Sequence, residues 1–265
     1  MKKILILYFI SIFFLPSIFS DLITGLAAHY TLDGNFSDSS GNNKHGTAYG
    51  NIASVNDRFG NTNSAHYFDG SDDYVDIPTS IISGTNKLTY ALWINVPVYS
   101  STGWPVFIGS YYSSAGSNIN FGIYQNTGKF YMEVHTSSGN YYGQGSAVTW
   151  NTWQHVAMVY DGSTIKNYIN GVLASTLTGV AGNLLVPSGL YIGQYHPSYT
   201  KVHGTLDDIY IYNRDLSQVE IQQLMSNTVP EPDILILFMT GIFLKFLSFW
   251  NFFKIKKQTN NPCDQ

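Results

Sequence analysis

One cysteine, Cys263, is present in 265 residues, so no disulfide can close within the chain. If the folded part is exported, its loops must be tied by other means. Charge is scarce too, at 11% of residues. Between Asp21 and Thr228 there are 14 Asp and Glu against 7 Lys and Arg, a net of −7. That balance argues against nucleic acid and anionic lipid as partners and is compatible with divalent cations. Glutamate is rarer still, because Glu133 and Glu220 are the only two in the same stretch. No Ser-His-Asp order, zinc-spaced histidine pair or phosphate-cradling glycine loop occurs, which removes the chemistries those patterns carry.

Aromatics and turn formers fill the space that charge leaves. They reach 15% of residues, with 20 Tyr beside 24 Gly, the composition of a β-protein with many turns. The clearest stretch is Trp153 to Ser175, which reads as three antiparallel strands joined by Asp161-Gly162 and Asn170-Gly171. Asn-Gly is the stronger signal and fixes the register of the second hairpin. A meander this apolar needs another sheet over one face, so the expected class is all-β, as a two-sheet antiparallel sandwich.

The motifs resemble one family. The V-A-x-V-Y-D-G run with its N-G turn, Val156 to Gly171, is similar to the central strands of laminin-G-like, concanavalin A-like lectin jelly-roll domains. The opening Tyr30-Thr31-Leu32-Asp33-Gly34-Asn35, continuing to Asp38-Ser39-Ser40-Gly41-Asn42 and His45-Gly46-Thr47, fits the same pattern. So do Phe68-Asp69-Gly70 through Tyr74-Val75, Leu88 to Trp93, and the closing Asp207-Asp208-Ile209 to Asn213-Arg214. Resemblance is weakest from Pro97 to Thr149. It implies a jelly roll over residues 21–226 whose first and last strands lie side by side. Trp93, flanked by Leu92 and Ile94 in a strand, is expected in the core. Ser217 with Glu220 three positions on predicts a capped helix after the last strand.

The two ends read as processing segments. Residues 1–20, with Lys2 and Lys3 before an apolar run too short for a span, predict a secretory signal peptide. Residues 229–257 hold a V-P-E-P box, an apolar run long enough to cross a bilayer as a transmembrane helix, and Lys254, Lys256 and Lys257. This order looks like a PEP-CTERM sorting signal, which implies an exosortase-type sorting enzyme as partner and a Gram-negative source; a plain membrane anchor is the alternative. Residues 258–265 form a tail. Either way the folded part is expected outside the inner membrane, at the cell surface, the outer membrane or in the extracellular matrix.

Two candidate sites follow. Carboxylates and amide oxygens of Asp33, Asn35, Asp38, Asp207 and Asp208 would converge if the first and last strands are neighbours, and such hard oxygens suit a structural calcium ion. Sugars stack their C–H faces on aromatic rings, which makes Trp104, Tyr111, Tyr112, Tyr124, Tyr141 and Tyr142 candidate platforms in the Tyr-rich portion. Sugar-cleaving jelly rolls carry an E-x-D-x-x-E strand that is absent here. Glu133 beside His135 reads as a solvated pair and Glu220 as a helix cap. The expectation is an exported, non-catalytic, carbohydrate-binding module for extracellular glycan or polysaccharide. A structural or adhesive surface protein without a sugar site is the alternative, and a glycoside hydrolase ranks last.

Overall fold

The computed structural model of the chain describes residues 22–98, 104–111, 118–124, 127–196 and 201–226. The signal peptide read at 1–20, the sorting signal at 229–257 and the tail at 258–265 lie outside these residues. No helix among the described residues is long and apolar enough to cross a membrane.

Strands run in chain order as β1 (Leu26–Tyr30), β2 (Thr47–Tyr49), β3 (Ala53–Val55), β4 (Ala65–Asp69), β5 (Tyr74–Ile77), β6 (Leu88–Asn95), β7 (Val106–Tyr111) and β8 (Ile119–Tyr124). They continue as β9 (Lys129–Thr136), β10 (Gly139–Ala147), β11 (Gln154–Tyr160), β12 (Thr164–Ile169), β13 (Val172–Thr178), β14 (Gly189–Ile192) and β15 (His203–Tyr212), before helix α1 (Gln218–Met225). The first sheet has the order β13-β12-β11-β6-β15-β4-β3, and the second β10-β9-β8-β7-β14-β5-β2. All pairings are antiparallel. The fold is the expected all-β sandwich, consistent with a jelly roll.

The meander forms as its turns require. Asn170 and Gly171 both take positive φ, 49° and 73°, as a tight two-residue hairpin needs, and β12 pairs with β13 across them. Strand β15 is long enough to serve two partners along one edge. His203 to Leu206 pair with β4, and Ile209 to Tyr212 pair with β1, so the first and last strands are neighbours. Between those halves the register against β6 slips at a bulge, where Asp208 has φ 46°. A bulge turns consecutive side chains away from strict alternation, which lets Asp207 and Asp208 reach one partner.

Alternation then sorts the core. Tyr90, Leu92, Ile94, Val156, Met158 and Ile211 of the first sheet meet Phe121, Phe130, Met132, Val134 and Leu190 of the second, all buried. The opposite face of the first sheet is covered in part by α1. Ile221 and Leu224 pack on Ala91, Ala157, Tyr168 and Tyr212 there. The helix starts at the expected capping box, with the Glu220 backbone N–H donating to Ser217 and the Glu220 carboxylate accepting from the Ser217 backbone. Trp93 departs from expectation. Period 2 puts it on this outer face, half-buried, with the Arg58 guanidinium 4.5 Å above its ring.

Candidate functional site

Strand β9 reads Lys129-Phe130-Tyr131-Met132-Glu133-Val134-His135-Thr136, and the pleat separates its two sets of side chains. Phe130, Met132 and Val134 enter the core. Tyr131, Glu133 and His135 therefore line the outward face of the second sheet. Glu133 is nonetheless 4% exposed and His135 3%. The solvated pair expected from the sequence is a buried one.

Four donors hold the Glu133 carboxylate. Oε1 lies 2.6 Å from His135 Nε2 and accepts from Asn118 Nδ2 at 3.3 Å. Oε2 accepts from Asn120 Nδ2 and from the Tyr131 hydroxyl, each at 2.6 Å. Asn120 is itself fixed, because its Oδ1 accepts the Ser110 backbone N–H at 2.9 Å. Burial pushes the Glu133 carboxyl up, but the bonds from His135, Tyr131 and Asn120 outweigh it and hold the group below the ordinary carboxylate value. The same burial, with Glu133 adjacent, drives the Tyr131 phenol far up, so Tyr131 stays a donor.

Above this carboxylate opens a cavity of about 400 Å³, lined by Trp104, Asn118, Tyr124, Tyr131, Glu133, Tyr142 and Tyr195. The rings brace one another. Trp104 lies parallel to Tyr131 with centroids 6.1 Å apart, and Tyr124 stands edge-on to Tyr131 at 5.2 Å. Trp104 and Tyr142 remain about half exposed, at 47% and 53%. Gly109 in β7 keeps the floor low, since a Cβ there would meet Asn120 Oδ1 and Tyr195 Cβ, both at 2.7 Å.

Of the expected platforms, Trp104, Tyr124 and Tyr142 come together here. Tyr141 does not. One position from Tyr142 on β10, it faces inward and packs against the core. Tyr112 lies outside the described residues, and only the backbone of Tyr111 is described, in β7. The candidate platforms do not include Asn118, Tyr131 and Tyr195, and Glu133 reads from the sequence as half of a solvated pair. The alternation of β9 was a visible signal for Tyr131 and Glu133; no local signal existed for Tyr195.

The residues grouped around calcium are arranged otherwise. Arg58 Nη1 donates to Asp207 Oδ2 at 2.5 Å, and Nη2 donates to Asp208 Oδ2 at 2.8 Å. His29 Nε2 is 3.6 Å from the other Asp208 oxygen. Asp38 accepts backbone N–H groups of His29, Ser40 and Lys44 at 2.9 to 3.0 Å. Asp33 and Asn35 are exposed, and Asn35 turns back on its own loop, donating to the Asp33 carbonyl and accepting from Ser37. Calcium needs six to eight converging oxygens. These five residues do not fit it, because the Arg58 guanidinium already engages Asp207 and Asp208, backbone amides already engage Asp38 and Asn35, and Asp33 is left as a single exposed carboxylate. Three other carboxylates, Asp69, Asp72 and Asp73, have oxygens within 4.8 Å of one another. Asp73 there accepts backbone N–H groups of Asn51 and Asp69, and Asp69 accepts that of Ser71, so these two shape the turn.

No curated protein matches the chain. Among solved structures, domain 4 of AbnA, a GH43 extracellular arabinanase from Geobacillus stearothermophilus in complex with arabinotriose, is similar with a TM-score of 0.60 and 22% identity. That match covers 76% of this chain and 98% of the domain. The binding domain of Paraclostridial Mosquitocidal Protein 1 is similar with a TM-score of 0.64 and 16% identity, covering 77% of this chain and 52% of that one. The binding domain of botulinum neurotoxin serotype D has a TM-score of 0.62 and 14% identity, covering 80% and 53%. The chain thus spans about half the length of the two toxin binding domains, and at these identities the likeness is one of fold. A family model described as the concanavalin A-like lectin/glucanases superfamily matches residues 69–222, more than half of the sequence. The chain belongs to the concanavalin A-like lectin/glucanases superfamily.

Proposed function

We propose that this protein is a lectin-like module that binds extracellular glycan or polysaccharide at the Glu133 cavity and does not cleave it. The observation that carries the reading is the cavity itself. Rings of Trp104, Tyr124 and Tyr142 line an open space above polar groups from Asn118, Glu133 and Tyr131, and it is roomy enough for a sugar unit. A domain of similar fold is in complex with arabinotriose, which is compatible with a glycan here. Glycosidic cleavage in most families needs two carboxylates flanking the bond, whereas Glu133 is the one carboxylate among the described lining residues. It is held charged by its donors, which suits a fixed anchor rather than a proton donor.

Address is the second part of the proposal. The signal peptide reading and the V-P-E-P, apolar and basic order support export through the inner membrane of a Gram-negative bacterium, membrane association through the C-terminal span before processing, and handling by an exosortase-type enzyme. The module then acts at the surface or in the matrix.

The test is a glycan array followed by calorimetry on the folded domain. Saturable binding that disappears in Trp104→Ala, with the unfolding midpoint unchanged, is the expected result. A normally folded protein silent toward every glycan would replace this reading with that of a structural or adhesive surface protein. Release of reducing ends that vanishes in Glu133→Gln would make it a glycoside hydrolase.

A further inference from the structure

Resting on the glycan reading above, we infer that the sugar carries a free, positively charged amino group: an amino-sugar polymer with unacetylated amines, not a neutral chain or a uronic acid. The charge of the wall carries this. Among the described residues that line the cavity there is no Lys or Arg, and the single formal charge is the Glu133 carboxylate. Three of its four donors, Asn118, Asn120 and Tyr131, are neutral and satisfy its lone pairs without cancelling its charge; the fourth, His135, 2.6 Å from Oε1, offsets that charge only where its ring is protonated. A buried carboxylate in a confined, ring-lined space projects its field into that space more strongly than it would in water.

The rings add to the same sign. Indole and phenol faces are negative, and Trp104, Tyr124, Tyr131 and Tyr142 meet around the opening. An ammonium group among these faces gains from each ring within about 6 Å and from the carboxylate behind them. A uronate entering the same space meets like charge and finds no Lys or Arg among the described lining residues. The surrounding domain, net −7 from Asp21 to Thr228, repels polyanions before contact and attracts polycations. Glu133 would act without being displaced from its donors, as a fixed charge beneath the sugar.

Calorimetry decides it with three probe sets: free-amine hexosamine oligomers of gluco and galacto configuration, the same oligomers fully N-acetylated, and a uronic acid oligomer. The free-amine set is expected to bind about tenfold tighter than its acetylated counterpart, the ratio that one desolvated cation–π contact supplies. The uronate should not bind. Glu133→Gln should shrink that ratio by removing the carboxylate's share, leaving what the ring faces supply. Because that variant disturbs a buried network, Tyr142→Leu on the exposed rim serves beside it, with Tyr142→Phe keeping the preference that Leu loses. Equal or tighter binding of acetylated or acidic oligomers by the wild type would overturn the inference and leave a lectin of other specificity. Failure of every sugar would remove both readings.

Discussion

The guanidinium of Arg58 lies 2.8 Å from Asp208, which is 150 positions further along the chain, and it joins the turn after β3 to the bulge of the last long strand. Asp207 shares the same guanidinium, and the three side chains are 5%, 3% and 14% exposed for Arg58, Asp207 and Asp208. The Arg58 plane sits between the rings of Phe59 and Trp93, each 4.5 Å away. A fixed organic cation thus ties the sandwich where calcium was expected.

Removing that cation takes the main partner from the buried Asp208 charge and from the Asp207 acid beside it. Arg58→Gln is expected to destabilise the domain by about 3–5 kcal/mol, the usual cost of taking one partner from a buried ion pair. Urea unfolding measures it, and adding Asp207→Asn with Asp208→Asn should restore part of the loss. Excess calcium or a chelator should leave the wild-type unfolding midpoint where it is. A midpoint that rises with calcium would show that a metal, and not Arg58, closes the fold.

Acidity at the same place sets a pH profile. Burial, then the adjacent Asp208 charge, push Asp207 up to about 8 against the pull of Arg58. His29 and Arg58 overcome burial and hold Asp208 low. A group whose folded value is raised binds its proton more tightly in the folded state, so its stabilisation is complete below the unfolded value of 3.8 and fades as pH climbs toward 8. Asp208, Asp38 and Glu133 act in the opposite window, because their folded values are lowered and their contribution is lost only as pH falls through those values. The melting temperature should therefore decline between about pH 4 and pH 8 and level off above that, and Asp207→Asn should flatten the decline. Circular dichroism melts in matched ionic strength give the answer, and a level wild-type profile would count against the raised Asp207 carboxyl.

Much of this was legible from local pattern. The hairpin at Asn170-Gly171, the capping box at Ser217 and Glu220, and the adjacency of β1 and β15 all follow from turn chemistry, spacing or motif order. Three of the five rings lining the cavity were legible too, since Trp104, Tyr124 and Tyr142 were picked out by residue type. What residue type cannot give is face. Tyr141 and Tyr142 are equal as letters, and only the pairing of β10 with β9 sends one to the core and the other to the cavity. Arg58 was hidden for another reason. Its turn, Asn56 to Asn61, looks like any polar loop, and nothing local points to carboxylates so distant in sequence.

One core group carries an uncompensated cost. Tyr90 is fully buried between the sheets, and its hydroxyl has no hydrogen-bond partner among the described residues. Burial drives that phenol far above its ordinary value, so it remains neutral. Tyr90→Phe removes an unsatisfied polar atom at nearly constant shape and should stabilise the domain by up to about 1 kcal/mol. Chemical unfolding should show a midpoint equal to or above wild type. A clear loss would mean that the hydroxyl has a bound water or another partner.

Tyr141 and Tyr142 separate folding from binding within one dipeptide. Tyr141 packs against the inter-sheet core, so Tyr141→Ala leaves a cavity and should cost about 3 kcal/mol or more, with glycan affinity retained in the fraction that folds. Tyr142 is 53% exposed on the rim, its ring edge-on to His135 with centroids 5.8 Å apart. Tyr142→Ala should move stability by less than about 1 kcal/mol and weaken glycan binding about tenfold or more, as loss of a stacking ring does. Paired unfolding and titration measurements on both variants check this. If the two changed places, with Tyr141→Ala sparing the fold and Tyr142→Ala unfolding it, the register of β10 would be shifted by one and the cavity would have a different wall.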